Sequence, residues 1–228
     1  MKRIIITVTL IMTTLIAGAQ NNDKNRDWAK FSRYAEDNAA VTVAPKVVFM
    51  GDSITEFWVN LDPDFFTSNN FIGRGISGQT SQHMLSRFQQ DVIELHPQVV
   101  VISAGTNDVA QNNGSILHEN IVSQIKSMVE LARFNGITPV VASVTPCNRF
   151  FWMPEARPAQ DIIALNKLIK AYTESAGVIY VDYHSEMMEP DGSLPQNYST
   201  DGCHPVLEGY KKMETIVLPC IQKALELR

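Results

Sequence analysis

The chain has 228 residues, 45% hydrophobic and 19% charged, with Gly 12 and Pro 11, which excludes disordered, collagen-like and low-complexity classes. That length suits one large α/β domain better than two small ones. Lys plus Arg number 19 against 24 Asp plus Glu, a net charge of -5, and no basic run stands ready to neutralise a phosphate backbone, so nucleic acid is not an expected partner.

In chain order, Lys2 and Arg3 precede an apolar run from Ile4 to Ile16 that ends in Ala17-Gly18-Ala19. A charged start, an apolar middle and a small-residue end predict a secretory signal over residues 1–19, cut before Gln20. The run is shorter than the roughly 18 apolar residues that span a bilayer, and no cysteine stands near the cut to carry a lipid. The expectation is an exported protein, periplasmic or secreted, with no stable membrane anchor after cleavage. Cys147, Cys203 and Cys220 are an odd number in an oxidising compartment, so at least one thiol is free or pairs between molecules. A bridge between Cys147 and Cys203 stays open, and Cα atoms more than about 7 Å apart would exclude it. Residues 20–46 read as a helical segment packed on the domain, with Trp28, Phe31 and Tyr34 as its packing stripe.

The domain proper, 47–228, alternates between two periods. Val47-Val48-Phe49-Met50 is an apolar β-forming run that stops at Gly51, as a buried parallel strand would. Phe71-Ile72, Val99 to Ile102, Val140-Val141-Ala142 and Val178 to Val181 repeat it, giving a five-stranded parallel sheet. Between the strands come helical spacings: Met84, Leu85, Phe88 and Val92, then Leu117 to Ala132, then Ile162 to Tyr172. A last one runs from Val206 to Val217, and Pro219 should kink or restart it. Strict alternation implies right-handed crossovers and a three-layer α/β/α sandwich. Ligands of such sheets sit beyond the carboxyl ends of the strands.

Four pieces of chain point to that rim. Gly51-Asp52-Ser53-Ile54-Thr55 follows the first strand and places a serine on a tight turn. Gly73-Arg74-Gly75-Ile76-Ser77-Gly78 follows the second strand, and Gly105-Thr106-Asn107-Asp108 the third. Asp201-Gly202-Cys203-His204-Pro205 precedes the last helix, with Pro205 suited to its start. A serine hydroxyl needs a base to take its proton, and an imidazole needs a carboxylate to fix its tautomer. Asp201 and His204, three apart, can pair locally before reaching Ser53. Gly75 can offer an unobstructed N–H to an oxyanion, Asn107 a side-chain amide and Ser53 its own N–H. Asp52 and Asp108 read as loop-holding carboxylates rather than proton-transfer groups.

In this order, Gly51-Asp52-Ser53, Gly75, Gly105-x-Asn107-Asp108 and Asp201-x-x-His204 resemble the four blocks of the SGNH (GDSL) hydrolases. The string Gly75-Ile76-Ser77-Gly78 is similar to the subgroup of platelet-activating factor acetylhydrolase. The resemblance implies a flavodoxin-like α/β/α fold, no cofactor, and hydrolysis of esters, often acetyl esters of sugars or lipids. It implies Ser53 as nucleophile, Gly75 and Asn107 as oxyanion donors, and Asp201 and His204 as the rest of a triad. Gln79 stands where an acidic residue is frequent in that subgroup, and Cys203 where an aliphatic one is frequent.

Other readings fit less well. Gly73-x-Gly75-x-x-Gly78 matches a dinucleotide fingerprint, but it follows the second strand, and that strand is short. The G-x-S-x-G elbow of α/β-hydrolases is absent, since Thr55 follows Ser53 by two. His83, His96, His118 and His184 are isolated, with no metal-binding spacing. Substrate contacts are expected from Arg74 and from the aromatic loop Phe150-Phe151-Trp152, which suits an acyl pocket or a sugar face. The expected activity is an exported serine esterase for O-acetylated carbohydrate. A lysophospholipase or short-chain lipid esterase is the alternative, and a silent carbohydrate-binding module a third reading. The oligomeric state is left open.

Overall fold

The computed structural model describes residues 26–227. The expected leader at 1–19, and the start of the 20–46 segment, lie outside those residues. Five strands form: β1 (Val47–Gly51), β2 (Phe71–Gly75), β3 (Val99–Ile102), β4 (Thr138–Ala142) and β5 (Ile179–Val181). All neighbours pair in parallel in the order β2-β1-β3-β4-β5, the flavodoxin-like arrangement.

The helices are α1 (Ala35–Ala39), α2 (Ser53–Leu61), α3 (Pro63–Asn69), α4 (Ser81–Asp91), α5 (Thr106–Val109), α6 (His118–Phe134), α7 (Ala159–Ala176), α8 (Tyr183–Met187) and α9 (Leu207–Glu226). Strand side chains alternate between two cores, as a period of two requires. Val48, Met50, Val100, Ile102 and Val141 meet α4, α6 and α7 on one face. Val47, Phe49, Val99, Val101 and Val140 meet α2, α3 and α9 on the other. At the centre of the second core Trp58 stacks between Phe65 and Tyr210, with ring centroids 5.0 and 5.4 Å away.

Three local expectations change. Ser53 opens a helix rather than sitting on an isolated turn, because Asp52 caps α2 by accepting from the Ile54 N–H at 3.0 Å. An aspartate that bonds backbone two residues on makes a turn or an N-cap by the same chemistry, and only the conformation of the next few residues decides between them. The N-terminal segment is a 3-10 turn, Phe31–Tyr34, running into the five-residue α1, rather than one helix. And α9 passes through Pro219 without restarting, since both Pro219 and Thr215, whose carbonyl loses its partner, lie on the exposed side.

Candidate active site

Ser53, His204 and Asp201 stand in line at the carboxyl end of β1. The Ser53 Oγ lies 2.9 Å from His204 Nε2, and His204 Nδ1 lies 2.8 Å from Asp201 Oδ2. Asp201 Oδ1 accepts the backbone N–H groups of Cys203 and His204, each at 2.8 Å, and the Ser199 hydroxyl at 3.1 Å. Burial alone would raise this carboxyl, but the bonds from His204 and Cys203 outweigh it and hold the pKa below the ordinary aspartate value. Gly202, at φ +85, supplies the left-handed turn that lets the loop fold back on the carboxylate.

Asn107 lies in α5, directly after Gly105 at φ +132. Its amide nitrogen donates to the Gln79 carbonyl at 3.1 Å and to Asp52 Oδ2 at 3.2 Å, while its oxygen accepts from Asn112 at 2.7 Å. Asp52 is wholly buried, and that desolvation pushes its carboxyl up to about 6. Asp108 accepts from the Ser81 N–H at 2.9 Å and the Ser81 hydroxyl at 2.6 Å, tying α5 to α4. Both aspartates hold loops, as their positions suggested.

Gly75 is placed differently from the expectation. It is buried, and a Cβ there would fall 2.3 Å from the Glu56 nitrogen and 2.5 Å from the Asp52 carbonyl. Glycine at this position lets β2 pass beneath the first turn of α2, and its carbonyl accepts from the Tyr34 hydroxyl. The wall beside Ser53 and Asn107 is instead built by Ser77 and Gly78. Gly78 has φ +80 and open space around it, in a turn closed by the Gln79 N–H on the Ile76 carbonyl at 3.2 Å. Gly78, and not the buried Gly75, is therefore the glycine of this string that lines the cleft. All three glycines of the string were visible in the sequence; which one faces the cleft depends on how β2 packs.

Two of the expected substrate contacts are also corrected. Arg74 is 5% exposed, bonded to Asn38 at 2.8 Å and to the Gly73 carbonyl at 2.9 Å, and packed on the Tyr34 ring, so it braces the N-terminal segment instead of meeting substrate. Phe150 is 1% exposed and belongs to the core beneath its loop. Its neighbours Phe151 and Trp152 do line a cleft of about 410 Å³ that opens over Ser53 and His204. Phe57, on the outer face of α2, lines it too and was missed, because α2 itself was not foreseen.

Two features of the resemblance gain a physical account. Gln79 uses both halves of its amide, donating to the Ala29 carbonyl at 2.7 Å and accepting from Arg87 at 2.6 Å, a pairing no carboxylate could complete. The fully buried Arg87 also bonds Asp91 at 2.9 Å and the Gly51 carbonyl at 3.0 Å, just ahead of Ser53. Cys203 and Cys147 are buried and unbridged; the Cys147 thiol donates to the Arg149 carbonyl at 3.0 Å, and the neighbouring Cys147, together with burial, pushes the Cys203 thiol up. Among the described residues no group of His, Cys, Asp and Glu is arranged to hold a metal ion.

Residues 49–212 match the model of the GDSL-like Lipase/Acylhydrolase family. A crystal structure described as that of an acylhydrolase from Bacteroides fragilis superposes with a TM-score of 0.85 at 46% identity, covering 88% of this chain and 99% of that one. A GDSL-like lipase from Bacteroides thetaiotaomicron superposes at 0.83, also 46% identical, over 86% of this chain and 98% of its own. In sequence, the platelet-activating factor acetylhydrolase IB subunit alpha1 of Rattus norvegicus is 25% identical over 174 residues, 73% of this chain and 70% of that protein.

Proposed function

From the premise that the chain belongs to the GDSL-like lipase/acylhydrolase family and hydrolyses ester bonds, we propose an exported serine esterase that removes short acyl groups, acetyl above all, from carbohydrate. The observation that carries the reading is the unbroken line from Ser53 through His204 to Asp201. Ser53 attacks the ester carbonyl while His204 takes its proton, and Asp201 orients the ring and stabilises the imidazolium. The N–H groups of Ser53 and Gly78 receive the oxyanion. The Asn107 amide joins them by exchanging its 3.2 Å contact with Asp52 for the new charge. His204 then returns the proton to the departing alcohol, and water activated by the same ring releases the acid.

Carbohydrate is favoured because Phe57, Phe151 and Trp152 give the cleft flat apolar walls beside polar groups, which suit a sugar ring. The relatives named platelet-activating factor acetylhydrolase support a second reading, a short-chain lipid esterase. Initial rates on p-nitrophenyl acetate and octanoate, with Ser53→Ala as control, test both. Acetate cleavage that vanishes in the variant, with little on octanoate, is the expected result. Equal octanoate cleavage moves the substrate to lipids, and full activity of the variant removes Ser53 as nucleophile. Export rests on the charged and apolar leader pattern at residues 1–19, and an exported protein whose mass begins at Gln20 is the expected product.

A further inference from the structure

The tetrahedral carbon formed on Ser53 carries four substituents, and the site dictates where three of them go. One bond is to Ser53 Oγ, and the oxyanion faces Gly78 and Asn107. The leaving oxygen must lie on the His204 side, since His204 Nε2 returns the proton to it. The rings of Phe57, Trp152 and Phe151 have centroids 5.2, 5.8 and 6.0 Å from the His204 ring, so the aromatic walls belong to the alcohol and not to the acyl group. The acyl group is left with the backbone and short polar side chains of Ser77, Gly78 and Asn112.

Beyond Phe151, itself 62% exposed, a second groove of about 660 Å³ continues from the first and shares Phe151 and Asp201 with it. Asn148, Arg149 and Arg157 face this groove. Arg149 spends its Nε on the Asp201 carbonyl at 3.2 Å, and Arg157 one terminal nitrogen on the carbonyls of Pro154 and Ala156, each at 2.8 Å. Those partners are neutral, and among the described residues no carboxylate forms an ion pair with either arginine. Of the nearby acids, Asp201 holds His204, Asp191 takes Asn148 and Ser193, and the exposed Glu155, two residues before Arg157, forms no ion pair with either arginine among the described residues. In a chain of net charge -5, two uncompensated guanidinium groups lie along the exit path of the leaving alcohol.

We propose that the alcohol part of the substrate is an acidic carbohydrate, with a sugar ring against Phe151 and a carboxylate in the groove of Arg149 and Arg157. This rests on the serine-esterase reading above and deepens it. A lipid phosphodiester offers the same negative charge, but its chains need an apolar trough, and the groove presents Asn148 and two arginines instead.

The test compares an O-acetylated methyl uronide with its neutral methyl ester, and with a 2-acetyl glycerophospholipid, at low and high salt. The expected result is a kcat/KM about three- to tenfold higher for the uronide than for its ester, a gap that closes at high salt because exposed charges are screened. In Arg157→Gln the ratio of charged to neutral substrate is expected to fall at least twofold, through KM. A ratio near one in the native enzyme, with hydrolysis still abolished by Ser53→Ala, overturns the acidic-alcohol proposal and leaves the esterase reading standing. A phospholipid cleaved faster than the uronide overturns the carbohydrate assignment. Hydrolysis that survives Ser53→Ala overturns the esterase mechanism instead.

Discussion

At the scale of single residues, the site separates groups that react from groups that hold them. Asp201 bonds His204, the proposed base, and hydrogen bonds from His204 and Cys203 hold its carboxyl below the ordinary aspartate value. Asp201→Asn is expected to lower kcat by about 10³ to 10⁴ with a small change in KM, measured on p-nitrophenyl acetate, because the amide favours the wrong imidazole tautomer. Asp52 acts in the opposite sense on stability. Its buried carboxyl is raised to about 6 in the fold, so the neutral form is the one the native state prefers. Its contribution is complete below the unfolded value near 4 and is lost as pH rises through about 6, a difference on the order of 3 kcal/mol. Asp52→Asn, which cannot ionise, is expected to flatten the fall in stability between pH 4 and 7, read by urea unfolding. Of these residues Ser53, Asn107, Asp201 and His204 were legible in the sequence, because their chemistry is particular and each follows or precedes a recognisable element. Gly75 and Phe150 were misplaced because each stands near residues of its own type and only packing decides which of them faces the cleft, and Arg74 because its partners Asn38 and Tyr34 come from a segment far off in sequence.

At the scale of elements, the five strands and the long helices could be read because their burial follows a single period, two or 3.6, over enough residues to stand out. The helices α2 and α3 could not, being short and separated only by Asp62, with a start that imitates a turn. Yet α2 contributes most to the proposed mechanism, since it carries Ser53 at its first position and Phe57 one turn later. The passage of α9 through Pro219 is a local cost that the fold tolerates on its wet side. Pro219→Ala is expected to add about 1 to 3 kcal/mol and raise Tm, by restoring an N–H to the Thr215 carbonyl.

At the scale of the whole molecule, the segment before the first strand is tied to the turn that lines the cleft. Ala29 takes the Gln79 amide at 2.7 Å, and Arg33 reaches Glu56 at 3.2 Å, which in turn accepts from the Ser77 N–H at 2.7 Å. Gln79→Glu keeps the bond to Arg87 but sets an acceptor against the Ala29 carbonyl. A loss of about 1 to 3 kcal/mol and a lower kcat at unchanged KM are expected from thermal melts and steady-state rates. A last consequence comes from the distance along the chain between Ser53 and His204, the proposed nucleophile and base, 151 residues. Ser53 leads the helix after the first strand, while His204 waits for the loop that precedes α9, whose Tyr210 closes the stack on Trp58. A chain that has built its sheet but has not docked α9 holds a serine with no partner to awaken it. Placing His204 beside Ser53 and completing the second core both require α9 to dock, so recovery of hydrolysis during refolding is expected to track that docking.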